Sequence, residues 1–454
     1  MDDWATIEDE AIDLFKGLLQ IDTTNPPGNE REAAEYLAGA LREDGLEPWM
    51  GGRSDERPNL VARLPATVET DDEAGPVLLA GHTDVVPADE AQWSHPPFGA
   101  VEADGCIWGR GAVDMKNMVA MSAMTVKLLA REQVPRRRDL IFAAVADEER
   151  GCEYGSKFLV DEHPERVDAE VMLGEVGGFW QHIGEETYLP VMIAEKGQVH
   201  LRMTATGPSG HGSIPRRDTA VGALARAVDR LTRERLPYHL TRPVERFIDA
   251  LARTQDFGSG IGLKGLKNGA IAGTVLDRLL PDPAVARNFD ALLHNTVSPT
   301  ILQGGEQVNV IPGEVSCELD GRVLPGFDAD DLVREVEVLV DDPAIDIQVV
   351  SEQQAVEHDS VDGEVFEAIE RIVGDHAEEA IPVPYMIPGY TDAQHFSRLG
   401  TTCYGFSPVK IPEQADLEFS ELFHGVDERI PTDGFKWGLR VLYEAVGQLV
   451  RPRP

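Results

Sequence analysis

The sequence predicts an α/β protein whose mostly parallel sheet, flanked by helices, is interrupted by an inserted α+β unit. Three observations carry that reading. Leu140–Ala146 is an unbroken apolar run of strand length, as suits an interior strand buried on both faces. Apolar strands alternate with amphipathic helices through residues 1–196, and the pattern resumes over 356–454. Between them, from Gly197, the period changes: Val199 to Thr206 alternates apolar with polar, as a half-exposed strand does.

Ile7, Ala11, Leu14, Phe15, Leu18 and Leu19 recur at helical spacing, and Thr24-Asn-Pro-Pro-Gly28 ends that helix. Asn29 opens a second helix with Ala33, Leu37 and Leu41 on its apolar side. Strands follow at Asn59–Leu64 and Pro76–Ala80, then an apolar helix from Met118 to Leu129, the Leu140 strand, and a short strand at Val171–Gly174. Residues 197–355 read as strand–helix–strand–strand–helix–strand, a ferredoxin-like β-α-β-β-α-β layer pair. The strands fall around Thr300–Leu302, at Val315–Val323 and at Ile345–Val350, and the helices at Ala220–Leu231 and Ala329–Val340. Residues 238–295 exceed what that unit needs and read as a helical insertion. Helix Gly363–Gly374, strand Thr402–Phe406 and helix Gly434–Val450 complete the first domain.

Net charge is −39, from 80 acidic against 41 basic residues. A surface this negative repels nucleic-acid phosphates and anionic lipid, so neither is an expected partner. The acid is scattered, as at Glu69–Glu73 and Asp328–Asp331, a distribution that fits adaptation to high salt, where screening removes the self-repulsion. Cys106, Cys152, Cys317 and Cys403 form no CxxC pair, and the acidic Met1-Asp-Asp-Trp start has no signal-peptide pattern. No run reaches the roughly 18 apolar residues of a membrane span. A cytoplasmic protein is the expectation.

In parallel sheets, ligands collect at the carboxyl ends of strands. Here those ends carry metal-ligand residues. The Leu140 strand runs into Asp147, Glu148 and Glu149, carboxylates that repel one another unless cations are present. Alternation along a strand end should send Glu148 and Glu149 to different tasks, one binding metal and one acting as general base. His82 and Asp84 follow another strand end; imidazole is a good zinc ligand and a nearby carboxylate can hold its tautomer. Asp114 sits in a Gly-rich turn before a buried helix, where it could cap the helix or bridge two ions. Glu175 ends a third strand, and His424 lies far downstream. Each alone has an ordinary structural explanation. Together, His, Asp, Glu, Glu and His make an oxygen/nitrogen set suited to two divalent ions, zinc first, with cobalt or manganese possible.

Gly81-His-Thr-Asp-Val-Val-Pro87, Gly109-Arg-Gly-Ala-Val-Asp-Met-Lys116, Asp147-Glu-Glu149, Gly174-Glu175 and Ser209-Gly-His-Gly-Ser213 resemble, in order, the dizinc amidohydrolase family. That family includes aminoacylases, acetylornithine deacetylase, succinyl-diaminopimelate desuccinylase and glutamate carboxypeptidase. The resemblance implies that His82 and Glu175 hold one metal, Glu149 and His424 the other, and that Asp114 bridges them. It implies that Asp84 orients His82 and Glu148 is the base. It also implies a homodimer in which the inserted lid domain presents His211 to the partner's site as an oxyanion donor. Arg322 resembles the arginine that receives a substrate carboxylate, and Asn309 a lid position near substrate. Pro388-Gly-Tyr-Thr-Asp392 resembles a substrate loop through Gly389, with Tyr390 where a second Gly is usual; Val176 stands where several relatives have Pro. The expected activity is hydrolysis of an amide in an N-acyl amino acid or short peptide with a free carboxylate, by a metal-bound hydroxide and a Glu base. A dipeptidase or carboxypeptidase of the same family, or a non-catalytic metal-stabilised binding protein, are the alternatives.

Overall fold

The computed structural model describes residues 3–68, 74–255, 257–280, 283–358, 360–412 and 422–452. The acidic stretch 69–73 and Glu421 lie outside these residues. The chain divides into two compact units: residues 1–193 with 358–384 and 391–454, and residues 194–357 with 385–390.

The first unit opens with helices α1 (Trp4–Leu19) and α2 (Arg31–Glu43). Strands β1 (Trp49–Gly51), β2 (Asn59–Leu64) and β3 (Val77–His82) follow, then β4 (Val101–Ala103) and β5 (Cys106–Trp108). Next come α3 (Lys116–Arg131), β6 (Leu140–Val145), α4 (Ser156–Glu162), α5 (Pro164–Val167), β7 (Val171–Gly174), β8 (Gln181–Ile183) and β9 (Glu186–Glu195). Helix α2 begins two residues after Asn29, with Glu30 at its cap position. The reason is tertiary: Glu30 is buried and its carboxylate takes Arg57 Nε at 3.0 Å and Nη2 at 2.6 Å. Helix α3 is buried from Lys116 to Leu129, apolar nearly all round as a core helix must be. Lys116 is tolerated there because Nζ donates to the Leu18 and Ile21 carbonyls at the end of α1, at 3.1 and 2.8 Å.

The second unit holds β10 (Gly197–Thr206), β11 (Gly210–His211) and α6 (Ala220–Arg233). The 238–295 stretch forms α7 (Arg242–Thr254), α8 (Phe257–Gly265), α9 (Gly269–Arg278) and α10 (Pro283–Leu293). Then follow β12 (Thr296–Gln303), β13 (Val310–Ile311), β14 (Glu314–Val323), α11 (Ala329–Val340), β15 (Ile345–Gln353) and β16 (Val356–Glu357). Four strands form an antiparallel sheet in the order β12-β14-β10-β15, the ferredoxin-like arrangement. Val199, Leu201, Met203 and Ala205 of β10 pack with Leu224 of α6 and Leu332 and Val336 of α11 in one core. Tyr385–Tyr390 clusters with this unit rather than the first.

The first unit is completed by α12 (Glu364–His376), β17 (Ala380–Ile387), α13 (Ala393–Phe396), β18 (Thr402–Gly405), β19 (Arg429–Pro431) and α14 (Thr432–Val450). Its sheet runs β1-β2-β6-β3-β7-β18-β9. The central strands β6, β3, β7 and β18 are parallel, whereas β2 and β9 flank them antiparallel. So Leu140–Val145 is interior, as its composition requires, but one of its neighbours is antiparallel. Burial of Leu140, Ile141, Phe142 and Val145 contributes about 1.5–3 kcal/mol each, which fixes the strand whose end bears the acidic turn. Among the described residues, no helix is long and apolar enough to cross a membrane.

Candidate dinuclear metal centre

His82 is the last residue of β3, a strand with parallel partners on both sides. Its ring Nδ1 lies 2.9 Å from the Asp84 carbonyl oxygen and 3.6 Å from the Asp84 carboxylate. A carbonyl only accepts, so Nδ1 carries the proton and Nε2 presents a lone pair. That lone pair faces Asp114 Oδ1 at 3.1 Å, Glu175 Oε2 at 3.7 Å and Glu148 Oε2 at 3.9 Å. The Asp84 carboxylate, expected to orient His82, stays beside that ring and has further partners. It accepts Asn25 Nδ2 at 2.8 Å and the amides of Glu148 and Glu149 at 3.1 and 3.2 Å.

Those amides belong to a 3-10 turn, Glu148–Arg150, entered through Asp147 at φ 66°. The separation of Glu148 from Glu149 therefore comes from a turn rather than from strand alternation. Asp147 holds the turn's base: its carboxylate takes Asn25 Nδ2 at 3.0 Å, Arg57 Nη1 at 2.9 Å and the Tyr154 amide at 3.2 Å. Glu148 is buried towards His82, while Glu149 Oε2 meets His424 Nε2 at 3.1 Å.

Asp114 joins the two sides. Oδ1 faces His82, and Oδ2 lies 3.2 Å from His424 Nε2. It does not cap α3, whose cap position is Met115. Glu175 follows β7, and its turn packs against β18 so closely that a Cβ on Gly405 would sit 2.3 Å from the Glu175 carbonyl oxygen. Val176 behind it adopts φ 59°, a region β-branched residues avoid. The result is two groups, His82–Asp114–Glu175 and Asp114–Glu149–His424, each with its ligand atoms within 4.8 Å of one another.

The donors fit divalent cations. Among the described residues, Glu149 Oε1 and Glu175 Oε1 are buried with no hydrogen-bond partner, and a carboxylate oxygen is left that way at a cost unless a cation meets it. Titration tells the same story. Burial lifts Glu175 to about 7 and raises Glu148, whose position beside Glu175 adds to the effect. Burial opposes charge on His82, but the facing carboxylates, Asp114 foremost, overturn it and raise its pKa well above ordinary. Asp114 and Glu149 push His424 to about 10. These are the signatures of negative charge awaiting a positive partner, proton or metal.

The second unit carries His211, Asn309, Arg322 and Gly389. His211 Nδ1 accepts from the Ser213 amide at 3.2 Å and pairs with its hydroxyl at 2.7 Å, which leaves the proton on Nε2. The Asn309 carbonyl takes the Gly212 amide at 2.8 Å, so Asn309 and the His211 turn are neighbours. Arg322 pairs with Asp320 and lies over the Tyr390 ring at 5.6 Å. Its Nη1 is buried without a partner among the described residues.

Several residues at the centre escaped the reading from sequence. Asn25 ties Asp84 to Asp147, and Arg57 supports Asp147 from Glu30. Asp392, buried, takes Ser156 Oγ at 2.5 Å on Oδ1, and burial raises it to about 6. Asn25 and Asp392 lie in the Thr24–Gly28 and Pro388–Asp392 stretches already singled out, but only the contacts show what they touch.

A parallel-stranded α/β unit with two His/carboxylate groups sharing one aspartate at its strand ends has the make-up of a dinuclear metallohydrolase. Comparison with known proteins agrees: the family model "Peptidase family M20/M25/M40" matches residues 78–448, and the chain belongs to that family. It is 28% identical over 384 residues to the probable carboxypeptidase S-like 2 of Dictyostelium discoideum, covering 81% of this chain and 70% of that protein. It is 27% identical over 389 residues to the N-fatty-acyl-amino acid synthase/hydrolase PM20D1 of Bos taurus, covering 83% and 75%. Its fold superposes on the M20 family metallo-carboxypeptidase Sso-CP2 from Sulfolobus solfataricus with a TM-score of 0.70 at 16% identity, over 99% of each chain.

Proposed function

We propose that the protein hydrolyses the amide bond of an N-acyl amino acid or short peptide carrying a free carboxylate, with Glu148 as general base. The observation that carries this is the pair of groups sharing Asp114, with Glu148 buried beside them. His82, Asp114 and Glu175 would hold one ion and Asp114, Glu149 and His424 the other; zinc suits these donors, as do cobalt and manganese. Such ions acidify water and polarise a scissile carbonyl. Glu148 takes the proton of the attacking water and returns it to the leaving amine, and burial raises its pKa towards the range in which a carboxyl both accepts and releases protons. His211 offers Nε2–H to the oxyanion, supplied from the second copy of a homodimer. Exposed Ile214, Leu302, Val308 and Val310 in the same unit support self-association. Arg322 Nη1, without a partner among the described residues, supports recognition of the substrate carboxylate, beside Tyr390.

The activities named for the relatives, on N-fatty-acyl amino acids and as carboxypeptidases, support this substrate class. The second reading, a carboxypeptidase or dipeptidase, differs only in whether the acyl group is itself an aminoacyl group. A panel of N-acyl amino acids and dipeptides separates them. A metal-stabilised binding protein would bind both ions and turn over none. The four cysteines are buried, which suits a reducing cytoplasm, and the −39 net charge supports assay in multimolar KCl. Glu148→Gln should keep both ions and lower kcat by at least ~100-fold, the lower range for a lost acid/base group; near wild-type turnover would remove Glu148 as the base.

A further inference from the structure

A fully buried carboxylate stands just outside both ligand groups. Glu428 is 0% exposed and spends all its acceptor capacity on one loop. Oε1 takes the amides of Val113 at 2.6 Å and Asp114 at 2.9 Å. Oε2 takes the Gly111 amide at 2.9 Å and Arg110 Nη1 at 2.8 Å, and the Glu428 carbonyl takes the Gly109 amide at 3.0 Å. Arg110, buried as well, turns its other arm to the carbonyls of Gly425 at 2.8 Å and His424 at 3.4 Å. One ion pair, 318 positions apart in sequence, thus ties the loop that ends in Asp114 to the turn that bears His424.

That turn needs a tether. His424 sits in a turn at φ 59° with its side chain 56% exposed. A second tie, Asp427 to the Ser94 amide and hydroxyl at 2.7 Å each, anchors the far end of the turn. The His82–Glu175 side is placed by the sheet: His82 ends β3 and Glu175 directly follows β7.

We propose that Arg110 and Glu428 are positioning residues that set the spacing of His424 from Asp114 and so the affinity of the Asp114–Glu149–His424 group for its ion. The inference rests on the dinuclear reading above. Neither residue touches substrate or ion; each acts through the backbone it holds. Glu428→Gln keeps the shape but loses the charge and one acceptor. Arg110→Lys keeps the charge but loses the fork that reaches both Glu428 and the 424–425 carbonyls.

The test is titration of the metal-free full chain with cobalt(II), read by calorimetry and by visible absorbance, which reports coordination geometry. Wild type should take two equivalents. In Glu428→Gln one equivalent should weaken by ~10–100-fold, the usual effect of losing an outer-sphere partner, and the other by clearly less. Arg110→Lys should weaken the same equivalent, and the double variant should be no worse than Glu428→Gln, since the two act as a unit. Equal weakening of both equivalents, as a merely structural role would give, overturns the proposal. So does an unchanged titration. If Glu428→Gln fails to fold, Arg110→Lys decides alone on the same criterion. A wild type that binds fewer than two ions overturns the dinuclear reading and this inference with it, whereas two ions indifferent to both substitutions overturn the inference only.

Discussion

The two halves of the metal centre are built by different means. His82 ends β3, paired with Val145 of β6, and Glu175 directly follows the neighbouring parallel strand β7; both are buried. Glu149 and His424 sit on turns: one is a 3-10 turn held by the Asp84 carboxylate, the other a positive-φ residue with a half-exposed ring. A sheet over-determines its strand ends through many ladder bonds, so ligands there need only the right residue type. A turn has few bonds of its own, so its ligands depend on buried polar side chains, here Asp84, Asn25, Arg110 and Glu428. Rigidity on one side and dependence on clamps on the other should show as unequal metal affinities.

The sharpest way to erase the difference is to remove what both halves share. Asp114→Ala should lose both ions and lower hydrolysis by more than ~100-fold, beyond the usual cost of an outer-sphere partner; metal analysis after dialysis checks it. Retention of both ions would show that Asp114 is not the bridge. Removing one histidine at a time should expose the asymmetry: His424→Ala should leave the strand-borne ion bound with essentially unchanged affinity, while His82→Ala should remove the tighter ion. If calorimetry finds the two variants equivalent, the contrast between strand and turn is lost.

Asn25→Leu strikes the supports. Without its amide, Asp84 and Asp147 each lose a donor, and the 148–150 turn loosens. Activity should fall ~10–100-fold, the range for an outer-sphere partner. Stability should fall by about 1–3 kcal/mol in a urea melt, the cost of buried polar groups left unpaired. Greater weakening of the His82–Glu175 ion than of the other would break the comparison.

The smallest effect concerns pH. In metal-free protein Glu175 is raised to about 7 by burial, so the folded state binds more protons than the unfolded chain between roughly pH 4.5 and 7. Its contribution to stability is full below the unfolded value and is lost as pH rises through about 7. The melting temperature of metal-free protein should therefore fall across that window, and saturating zinc should abolish the fall. A metal-free melting curve that climbs from pH 5 to 7 would contradict the assignment.

Much of the strand-borne half was legible in the chain, because a buried parallel strand is written as an apolar run and the residue that ends it is written next to it. Val77–His82, Leu140–Val145 and Val171–Gly174 all read that way. The turn-borne half was legible only as residue types. Nothing local says that Asp114 and His424 meet, or that Glu428 binds a loop 318 positions away. Strands β9 and β17 went unread because Pro190, Pro382 and Pro384 interrupt them and their pairing is tertiary. Asn29 looked like a helix cap, but the buried Glu30–Arg57 pair moved the start of α2.

The most direct measurement is hydrolysis by the metal-free full chain titrated with zinc, cobalt or manganese in multimolar KCl, against a panel of N-acyl amino acids and dipeptides. A dinuclear centre of unequal halves predicts little activity at one equivalent, as the tighter strand-borne group fills, and a steep rise to a plateau at two. Maximal turnover at one equivalent, or two bound ions with no substrate hydrolysed, would contradict it.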